Sequence, residues 1–385
     1  MNNRTPSVHD VTISTEKIND LHRRLDTVVW PRRATGAAVP GFDTDRLRPL
    51  VDYWRDGFDW RAVEARLMEL GQFVTQTADG RCMHGLHSRG AEHVPVLLIH
   101  GWPDSPLRFV HVLPLLVDAG HSVVAPSIPG FGFSDEPEGV MSLELAAEDF
   151  HAVMIELGYP RYAVHGGDWG SALATALARL HPESVVALHL TDVPFDLAFT
   201  IDVASASEAE VAYLKSIEQL SSGQLYLTAN SAQPDVVALA LTDSPVGLLG
   251  WLAHIFDQWS DGEISRDDLL AAASLMWFAG SIRSSLRLYS EPAANWDSSA
   301  WGEGADAGWD DGESESDSGW APPKIEIPTA FALFPRDLGM APRALADRHF
   351  AVERFTVMPK GGHFAALEQP ELLADDMITF FNGRS

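Results

Sequence analysis

The segment that most constrains the fold is VHGGDWGSALATALARLHP, residues 164–182. An apolar run ends in GGDWG, residues 166–170, and an alanine-rich stretch with high helix propensity follows at once. This pattern predicts a strand, a sharp turn and a helix, with Asp168 exposed at the turn between two small residues. The alternative is that Asp168 only caps the helix, since aspartate is a favoured N-cap residue.

Asp168 offers a chemistry that a serine at the same place would not. Its carboxyl group has an ordinary pKa of about 3.9, so it is ionised at neutral pH and needs no base to activate it. Serine attack on a saturated carbon would leave an ether, whereas carboxylate attack leaves an ester that water can hydrolyse. Asp168 therefore predicts displacement at an sp3 carbon, such as that of an epoxide or an alkyl halide, followed by ester hydrolysis.

Composition and charge narrow the class of protein. The net charge of −27, from 54 acidic against 27 Lys and Arg residues, argues against nucleic acid or an anionic membrane as partner. The single cysteine, Cys82, cannot form an intrachain disulfide, which fits a reducing compartment. No signal-like segment is seen and no run reaches the roughly 18 apolar residues of a membrane span, so a cytoplasmic protein is expected.

Strand and helix patterns alternate along most of the chain. Residues 14–72 have helical patterns, and strands alternate with helices between residues 72 and 194, which predicts a mostly parallel sheet covered by helices. Helical segments then interrupt this order and predict a cap inserted after the sixth core strand. The predicted N-terminal extension, with helices and the first strands, covers residues 1–92. The predicted core has two parts, residues 93–194 and 323–385. The cap between them covers residues 195–294, and an acidic loop covers residues 295–322.

Residues 295–320 stand apart in composition. They include eight acidic residues and four tryptophans but no basic residue. The Gly, Ser and Asp content predicts a solvated, flexible loop. A docking or lid function is the alternative, because a purely solvating segment rarely contains tryptophan.

A second motif predicts donors for an oxyanion. His100-Gly101-Trp102-Pro103 follows the apolar strand pattern VPVLLI. In α/β hydrolases the loop at this place supplies one backbone N–H of the oxyanion hole, and the residue after the nucleophile supplies the other. We therefore expect the backbone amides of Trp102 and Trp169 to hold the oxyanion.

A base and its orienting acid are predicted near the C-terminus. His363 lies in GGHF after the last strand pattern, where glycines allow a tight turn and the imidazole can act as general base. Asp337 follows the strand pattern IPTAFALF and gives the chain order nucleophile, acid, histidine. Asp192, after the preceding sheet strand, is the alternative acid.

Together these motifs resemble the epoxide hydrolases of the microsomal type. The resemblance rests on GGDWG, HGWP, PGFGFS at residues 129–134 and KGGHFAALEQPELLADD at residues 360–376, and extends through DWRAVEARLMELGQF at residues 59–73. It implies an α/β-hydrolase fold and hydrolysis of an epoxide to a vicinal diol, with no metal or organic cofactor. The membrane anchor of the microsomal enzymes is not seen, so a soluble bacterial-like member is expected.

The resemblance also implies two cap tyrosines that protonate the opening epoxide. Tyr226 in LYLTANSAQPD and Tyr289 in SIRSSLRLYSE match those positions. A phenol is protonated at neutral pH and can donate to an alkoxide as it forms. We also expect the substrate, a small apolar or aromatic epoxide, to contact His100, Trp251 and Trp277, although the tryptophans would equally suit the core.

Two alternative functions remain at this point. A haloalkane dehalogenase shares the aspartate, the histidine and a DWG elbow but needs no tyrosine acids. A catalytically silent binding protein of the same fold would lack a catalytic residue, whereas the sequence contains all that are expected. The excess of arginine over lysine, 23 to four, and the high alanine content indicate a GC-rich source. Enzymes of this type from such sources resemble members of natural-product pathways, which suggests that setting, and a homodimer is left open.

Overall fold

A single eight-stranded sheet organises the computed structural model, which describes residues 11–31, 44–223, 225–295 and 322–384. In chain order the strands are β1 Gln72–Gln76, β2 Cys82–Ser88, β3 His93–Ile99, β4 His121–Pro126, β5 Tyr162–Gly166, β6 Val185–Leu190, β7 Ile325–Leu333 and β8 Phe350–Val357. Their spatial order is β1-β2-β4-β3-β5-β6-β7-β8. The β1-β2 and β2-β4 pairs are antiparallel and the other five are parallel.

Helices cover the sheet and form the cap. In chain order they are α1 Thr15–Asp26, α2 Leu47–Asp56, α3 Trp60–Glu69, α4 Val112–Asp118, α5 Leu143–Glu156, α6 Trp169–Leu180, α7 Glu208–Gly223, α8 Leu225–Ala232, α9 Pro234–Asp243, α10 Pro245–Trp259, α11 Arg266–Ala279, α12 Ile282–Ser285, α13 Arg287–Asn295, α14 Arg343–His349, α15 Ala365–Glu368 and α16 Pro370–Phe381. The predicted α/β-hydrolase fold, with a mostly parallel sheet, is confirmed.

The central strands are buried on both faces. Every residue of β4 and β5 is buried, as expected for parallel strands covered by helices on each side. The carboxyl ends of β3, β5, β7 and β8 lie at one edge of the sheet, because these strands run parallel. The HGWP loop, Asp168, Asp337 and His363 follow these four ends, so the topology gathers them along that edge.

The cap comprises α7 to α13 and is inserted between β6 and β7, which confirms its predicted place after the sixth strand. The sequence pattern over residues 265–289 is helical throughout, but the structure divides it. Gly280 has a left-handed φ of 66° and ends α11. The turn separates α11 from α12 and α13 and so fixes the direction in which α13 approaches the core.

The N-terminal extension forms hydrogen bonds with the cap. The Trp54 indole on α2 donates a hydrogen bond to the Ser274 hydroxyl on α11 at 2.8 Å, and both side chains are buried. The Lys17 ammonium donates to the carbonyl of Phe278 at 3.2 Å. The extension therefore contacts the cap helix α11 from two of its own helices.

Two sequence features need separate mention. Residues 296–321, which hold nearly all of the acidic tryptophan-containing segment, lie outside the described residues, so its loop character stays a prediction. Within the described ranges, no single helix has the length and hydropathy of a membrane span. Two bent pairs of helices reach that length and composition only when both members are counted together. They are α9 with α10, and α11 with α12 and the start of α13.

Candidate active site

Asp168 occupies a strained turn between β5 and α6. Its φ of 59° and ψ of −133° make it the one non-glycine residue of the described chain with a positive φ. A Cβ added at Gly166 would collide with the backbone of Gly170, and one at Gly170 would collide with the carbonyl of Ile99. The Asp168 side chain makes no capping hydrogen bond to α6, so the helix-cap alternative is wrong.

Two backbone amides converge on the Asp168 carboxylate. The N–H of Trp102 donates to Oδ1 at 2.7 Å, and the N–H of Trp169, at the start of α6, lies close to the same carboxylate. Burial raises the pKa of Asp168, while the nearby His363 and these two amides oppose the rise. The structure thus places both predicted oxyanion donors on the carboxylate itself.

His363 links Asp168 to a second acid. Its Nδ1 lies 2.7 Å from Asp337 Oδ1, and its Nε2 lies 3.6 Å from Asp168 Oδ2. Burial alone would lower the pKa of His363, but the Asp337 carboxylate raises it above its ordinary value. Burial would likewise raise the pKa of Asp337, and the charge of His363 lowers it. Asp337 is therefore the carboxylate partner that fixes the histidine ring.

Asp192, the alternative acid, binds the elbow instead. Its Oδ1 accepts hydrogen bonds from the N–H of Asp168 at 2.9 Å and from the Ser171 hydroxyl at 2.7 Å. Burial, with the neighbouring charge of Asp337, raises the pKa of Asp192 to about 7. The structure places Asp337, not Asp192, against His363.

The two predicted tyrosines approach from the cap. The Tyr226 ring, on α8, stacks on the Trp102 ring at 5.5 Å between centroids, and the Tyr289 ring, on α13, lies 5.2 Å from the Trp169 ring. The two phenol rings are 6.0 Å apart. Burial, followed by the Asp168 charge, raises the pKa of Tyr226, and burial raises that of Tyr289 further. Both phenols therefore stay protonated at neutral pH.

Comparison with known proteins bears on this arrangement. A model of the epoxide hydrolase N terminus matches residues 6–109, and a model of the alpha/beta hydrolase fold matches residues 94–249. The chain is 32% identical to epoxide hydrolase 1 of Sus scrofa, over 96% of this chain and 87% of that protein. The chain belongs to the epoxide hydrolase family.

Solved structures of epoxide hydrolases share the fold along nearly the whole chain. Aspergillus niger epoxide hydrolase aligns with a TM-score of 0.80 and 26% identity, over 98% of this chain and 96% of that one. Juvenile hormone epoxide hydrolase from the silkworm Bombyx mori aligns with a TM-score of 0.78 and 25% identity, over 96% and 92%. These relatives favour a hydrolase that acts on epoxides over a haloalkane dehalogenase.

His100 supports the HGWP loop of this epoxide hydrolase instead of binding substrate. Its Nδ1 donates to the carbonyl of Gly101 at 2.8 Å, and its Nε2 accepts the N–H of Ile128 at 3.1 Å. The ring is fully buried, and burial lowers its pKa to about 3. Both ring nitrogens are used by the main chain, so the predicted substrate contact through them is wrong.

The structure does not place either predicted cap tryptophan beside the catalytic side chains. Trp277, at the end of α11, lies under the Arg24 guanidinium at 5.4 Å and so belongs to the contact with the N-terminal extension. Trp251 is half-buried on α10 and, among the described residues, its ring contacts none of the catalytic side chains. The predicted substrate contacts of both residues lack support from the structure.

The aromatic residue that sequence reasoning missed is Trp259, the last residue of α10. Its ring centroid lies 4.8 Å from that of Tyr226 and 5.0 Å from that of His363, and its carbonyl accepts the N–H of His363 at 2.8 Å. Trp251 and Trp259 are in the same amphipathic helix, and its hydrophobic period could not tell which tryptophan reaches the active site.

Asn230 is a second residue that the sequence did not single out. It lies one helical turn after Tyr226 on the buried side of α8 and is fully buried. Within the described part of the chain, neither its amide nitrogen nor its amide oxygen has a hydrogen-bond partner. No motif marks it, because an isolated asparagine in a helix carries no pattern that distinguishes a buried position.

The loop that carries His363 is held on several sides. The Arg108 guanidinium donates to the carbonyl of His363 and forms a buried ion pair with Asp104 at 2.6 Å. Glu368 accepts the N–H groups of Gly362 at 3.1 Å and Phe364 at 3.0 Å. The position of the imidazole is thus fixed by main-chain hydrogen bonds on both sides of it.

Proposed function

We propose that Asp168 opens the epoxide by direct attack. The observation that carries this proposal is the unequal environment of its two oxygens. Oδ1 is held by the amide of Trp102 at 2.7 Å, whereas Oδ2 lies 3.6 Å from His363 Nε2, which has no hydrogen-bond partner in the described ranges. Oδ2 is the oxygen that attacks the epoxide carbon from the back, and the product of this step is a hydroxyalkyl ester.

Tyr226 and Tyr289 act as the acids of ring opening. As the carbon–oxygen bond of the epoxide breaks, negative charge develops on the leaving oxygen. Both phenols remain protonated at neutral pH because burial raises their pKa values. One phenol transfers its proton to the alkoxide, and the other stabilises the oxygen by a hydrogen bond.

His363 activates the water that hydrolyses the ester. Its Nε2 takes a proton as the water oxygen bonds to the Asp168 carbonyl carbon, and Asp337 stabilises the imidazolium. The charge that develops on Oδ1 is held by the amide of Trp102, which already donates to it, and by the neighbouring amide of Trp169.

Collapse of this intermediate returns the enzyme to its starting state. The bond between the carbonyl carbon and Oδ2 breaks, and His363 gives its proton to the departing alkoxide. The released vicinal diol carries the original Oδ2, while Asp168 keeps the water oxygen. The proton of the new carboxylic acid restores the phenol, so the sum is epoxide plus water to diol without a metal or organic cofactor.

The substrate class that fits best is a small apolar or aromatic epoxide. Three aromatic rings from different parts of the fold, those of Trp102, Tyr226 and Tyr289, contact one another, and the Trp102 amide binds Asp168. Stacked and edge-on aromatic walls favour a flat apolar group. On composition alone, we extend the proposal to a cytoplasmic enzyme of natural-product biosynthesis.

Single turnover in water labelled with oxygen-18 tests the ester route. Excess enzyme is mixed with racemic styrene oxide, and both diol and protein are analysed by mass spectrometry. The proposal expects unlabelled diol in the first turnover and one labelled oxygen in the peptide that contains Asp168. Labelled diol in the first turnover would show direct attack by water and would overturn the proposal.

Two variants make the intermediate itself visible. His363→Gln is expected to accumulate a protein adduct with the mass of enzyme plus epoxide, because ring opening does not need the base. Asp168→Ala is expected to form no adduct under the same conditions. An adduct in Asp168→Ala, or none in His363→Gln while the epoxide is consumed, would contradict the assigned roles.

A further inference from the structure

Two buried polar atoms on adjacent rings have no partner among the residues that the structure describes. They are Trp259 Nε1 and His363 Nε2. The two residues are 1% and 4% exposed, and their ring centroids lie 5.0 Å apart at an angle of 78°. Buried groups of this kind in folded proteins are nearly always completed by a water molecule or a ligand.

The two atoms are chemically complementary. Indole Nε1 can only donate a hydrogen bond. His363 Nδ1 donates its proton to the Asp337 carboxylate at 2.7 Å, so Nε2 of the neutral ring can only accept. A group that both donates and accepts satisfies the pair, and water is the smallest such group.

We propose that Trp259 Nε1 and His363 Nε2 together bind the water that hydrolyses the Asp168 ester, which makes Trp259 a positioning residue for this step. The inference rests on the ester mechanism proposed above. The Trp259 N–H occupies one lone pair of the water, and one water proton points to His363 Nε2. The second lone pair is then free to bond to the ester carbonyl carbon as the proton moves to Nε2.

The contacts of Trp259 hold its indole against the histidine. Its carbonyl accepts the N–H of His363 at 2.8 Å, so the backbones of the two residues are joined. Its ring lies edge-on to Tyr226 at 4.8 Å and nearly parallel to Phe364 at 6.1 Å between centroids. The donor is therefore fixed relative to the imidazole, as a water site for catalysis requires.

Trp259→Phe isolates the proposed donor because it keeps an aromatic ring and removes the N–H. Ester formation and ester hydrolysis are measured separately by rapid-quench mass spectrometry with styrene oxide. We expect hydrolysis to slow about 10- to 100-fold, within the range of lost catalytic hydrogen bonds, and ester formation to change less than about twofold. Unchanged hydrolysis, or an equal loss in both steps, would overturn the inference.

Trp251→Phe is the matched control. Trp251 lies on the same helix, about 12 Å earlier along its axis, and its Nε1 is also buried with no partner in the part of the chain described. This variant removes an equivalent N–H away from His363, so we expect both steps to keep their wild-type rates within about twofold. If Trp251→Phe slowed hydrolysis as much as Trp259→Phe, the effect would belong to cap packing and the inference would fail.

The pH dependence of ester hydrolysis provides a second readout. Loss of a water ligand lowers the maximal rate but leaves the pKa of the His363–Asp337 pair in place. A displaced imidazole would lose part of the stabilisation from Asp337, and its pKa would fall. Trp259→Phe is thus expected to lower the plateau without moving the midpoint, and a midpoint at lower pH would overturn the inference. A wild-type enzyme that forms no ester would instead refute the underlying mechanism.

Discussion

The two halves of the active site differ in how their polar atoms are satisfied. The core half comprises Asp168, His363 and Asp337, and the cap half comprises Tyr226, Tyr289, Trp259 and Asn230. In the core half, amides and side chains of the protein bind every carboxylate. Among the described residues, Trp259 and Asn230 of the cap half have buried polar atoms without a partner, and in the core half only Nε2 of His363 lacks one. The protein therefore fixes the carboxylates of the core half itself, whereas Nε2 of His363 and the polar atoms of Trp259 and Asn230 are left for water or substrate.

The largest effect is expected from Asp168→Ala, which removes the nucleophile from the core half. Diol formation should fall by at least about 10⁴-fold, because the base cannot substitute for a missing nucleophile. The measurement is diol yield by chromatography, with thermal unfolding as control for the fold. Activity above a small percentage of wild type would show that water can attack the epoxide directly and would break the distinction between the halves.

Asp337→Asn is expected to have the next largest effect, confined to ester hydrolysis. The rate of this step should fall about 10³-fold, because the imidazolium loses its carboxylate partner. The Asp337 carboxylate raises the pKa of His363, so its removal should move the midpoint of hydrolysis to lower pH. Transient kinetics across pH measures both quantities. A midpoint that moved upward would contradict the assigned pair.

The tyrosine variants test the cap half. Tyr226→Phe and Tyr289→Phe should each slow ester formation about 10- to 100-fold and leave hydrolysis of the formed ester within about twofold. In the wild type, ester formation should show no loss of acid catalysis up to the ordinary tyrosine pKa of 10, since both phenols have raised values. Rapid-quench measurements separate the steps. Equal losses in both steps would show that the tyrosines also hold the core half in place.

Asp192→Asn should change turnover least, by less than about fivefold, because an amide oxygen can still accept the N–H of Asp168. Its effect should be seen in stability. The folded-state pKa of Asp192 is about 7, above its ordinary value of 3.8, so the folded state binds this proton more tightly than the unfolded chain does. The carboxyl group thus lowers the free energy of unfolding as pH rises from about 4 to about 7.

Urea unfolding of Asp192→Asn at several pH values checks this sign. As pH rises across that interval, the free energy of unfolding should fall less for the variant than for the wild type. Wild-type protein is the matched reference, because the two chains differ in one titrating group. A steeper decline in the variant would mean that Asp192 is stabilised as a carboxylate by its hydrogen bonds to the elbow.

The core half could be predicted from the sequence because local patterns and strand order are enough to place its residues. Glycines mark the turns at Asp168 and His363, and the residues that follow parallel strands meet at one sheet edge. The choice of Asp337 over Asp192 followed from the same strand order. The change from alternating strand and helix patterns to helical patterns alone likewise predicted the cap and its insertion point.

The contacts of individual cap side chains could not be predicted in this way. Trp277 and Trp259 both lie at helix ends in apolar segments, but one contacts the N-terminal extension and the other contacts His363. Hydrophobic period indicates that a side chain is buried but not which neighbour it meets. His100 was misassigned for a related reason, since the main-chain groups that occupy its two nitrogens come from loop geometry.

The end of α10 also limits how freely caps can be exchanged between related enzymes. Trp259 accepts the N–H of His363 through its carbonyl, and the Asp261 carboxylate accepts the N–H of Gly361 at 2.9 Å. If a cap from a related enzyme lacked this short connection, it would hold the catalytic base in a different position. Divergence toward new substrates is therefore easiest in α7 and α9, which carry none of the proposed catalytic residues, while the junction at residues 259–261 is kept.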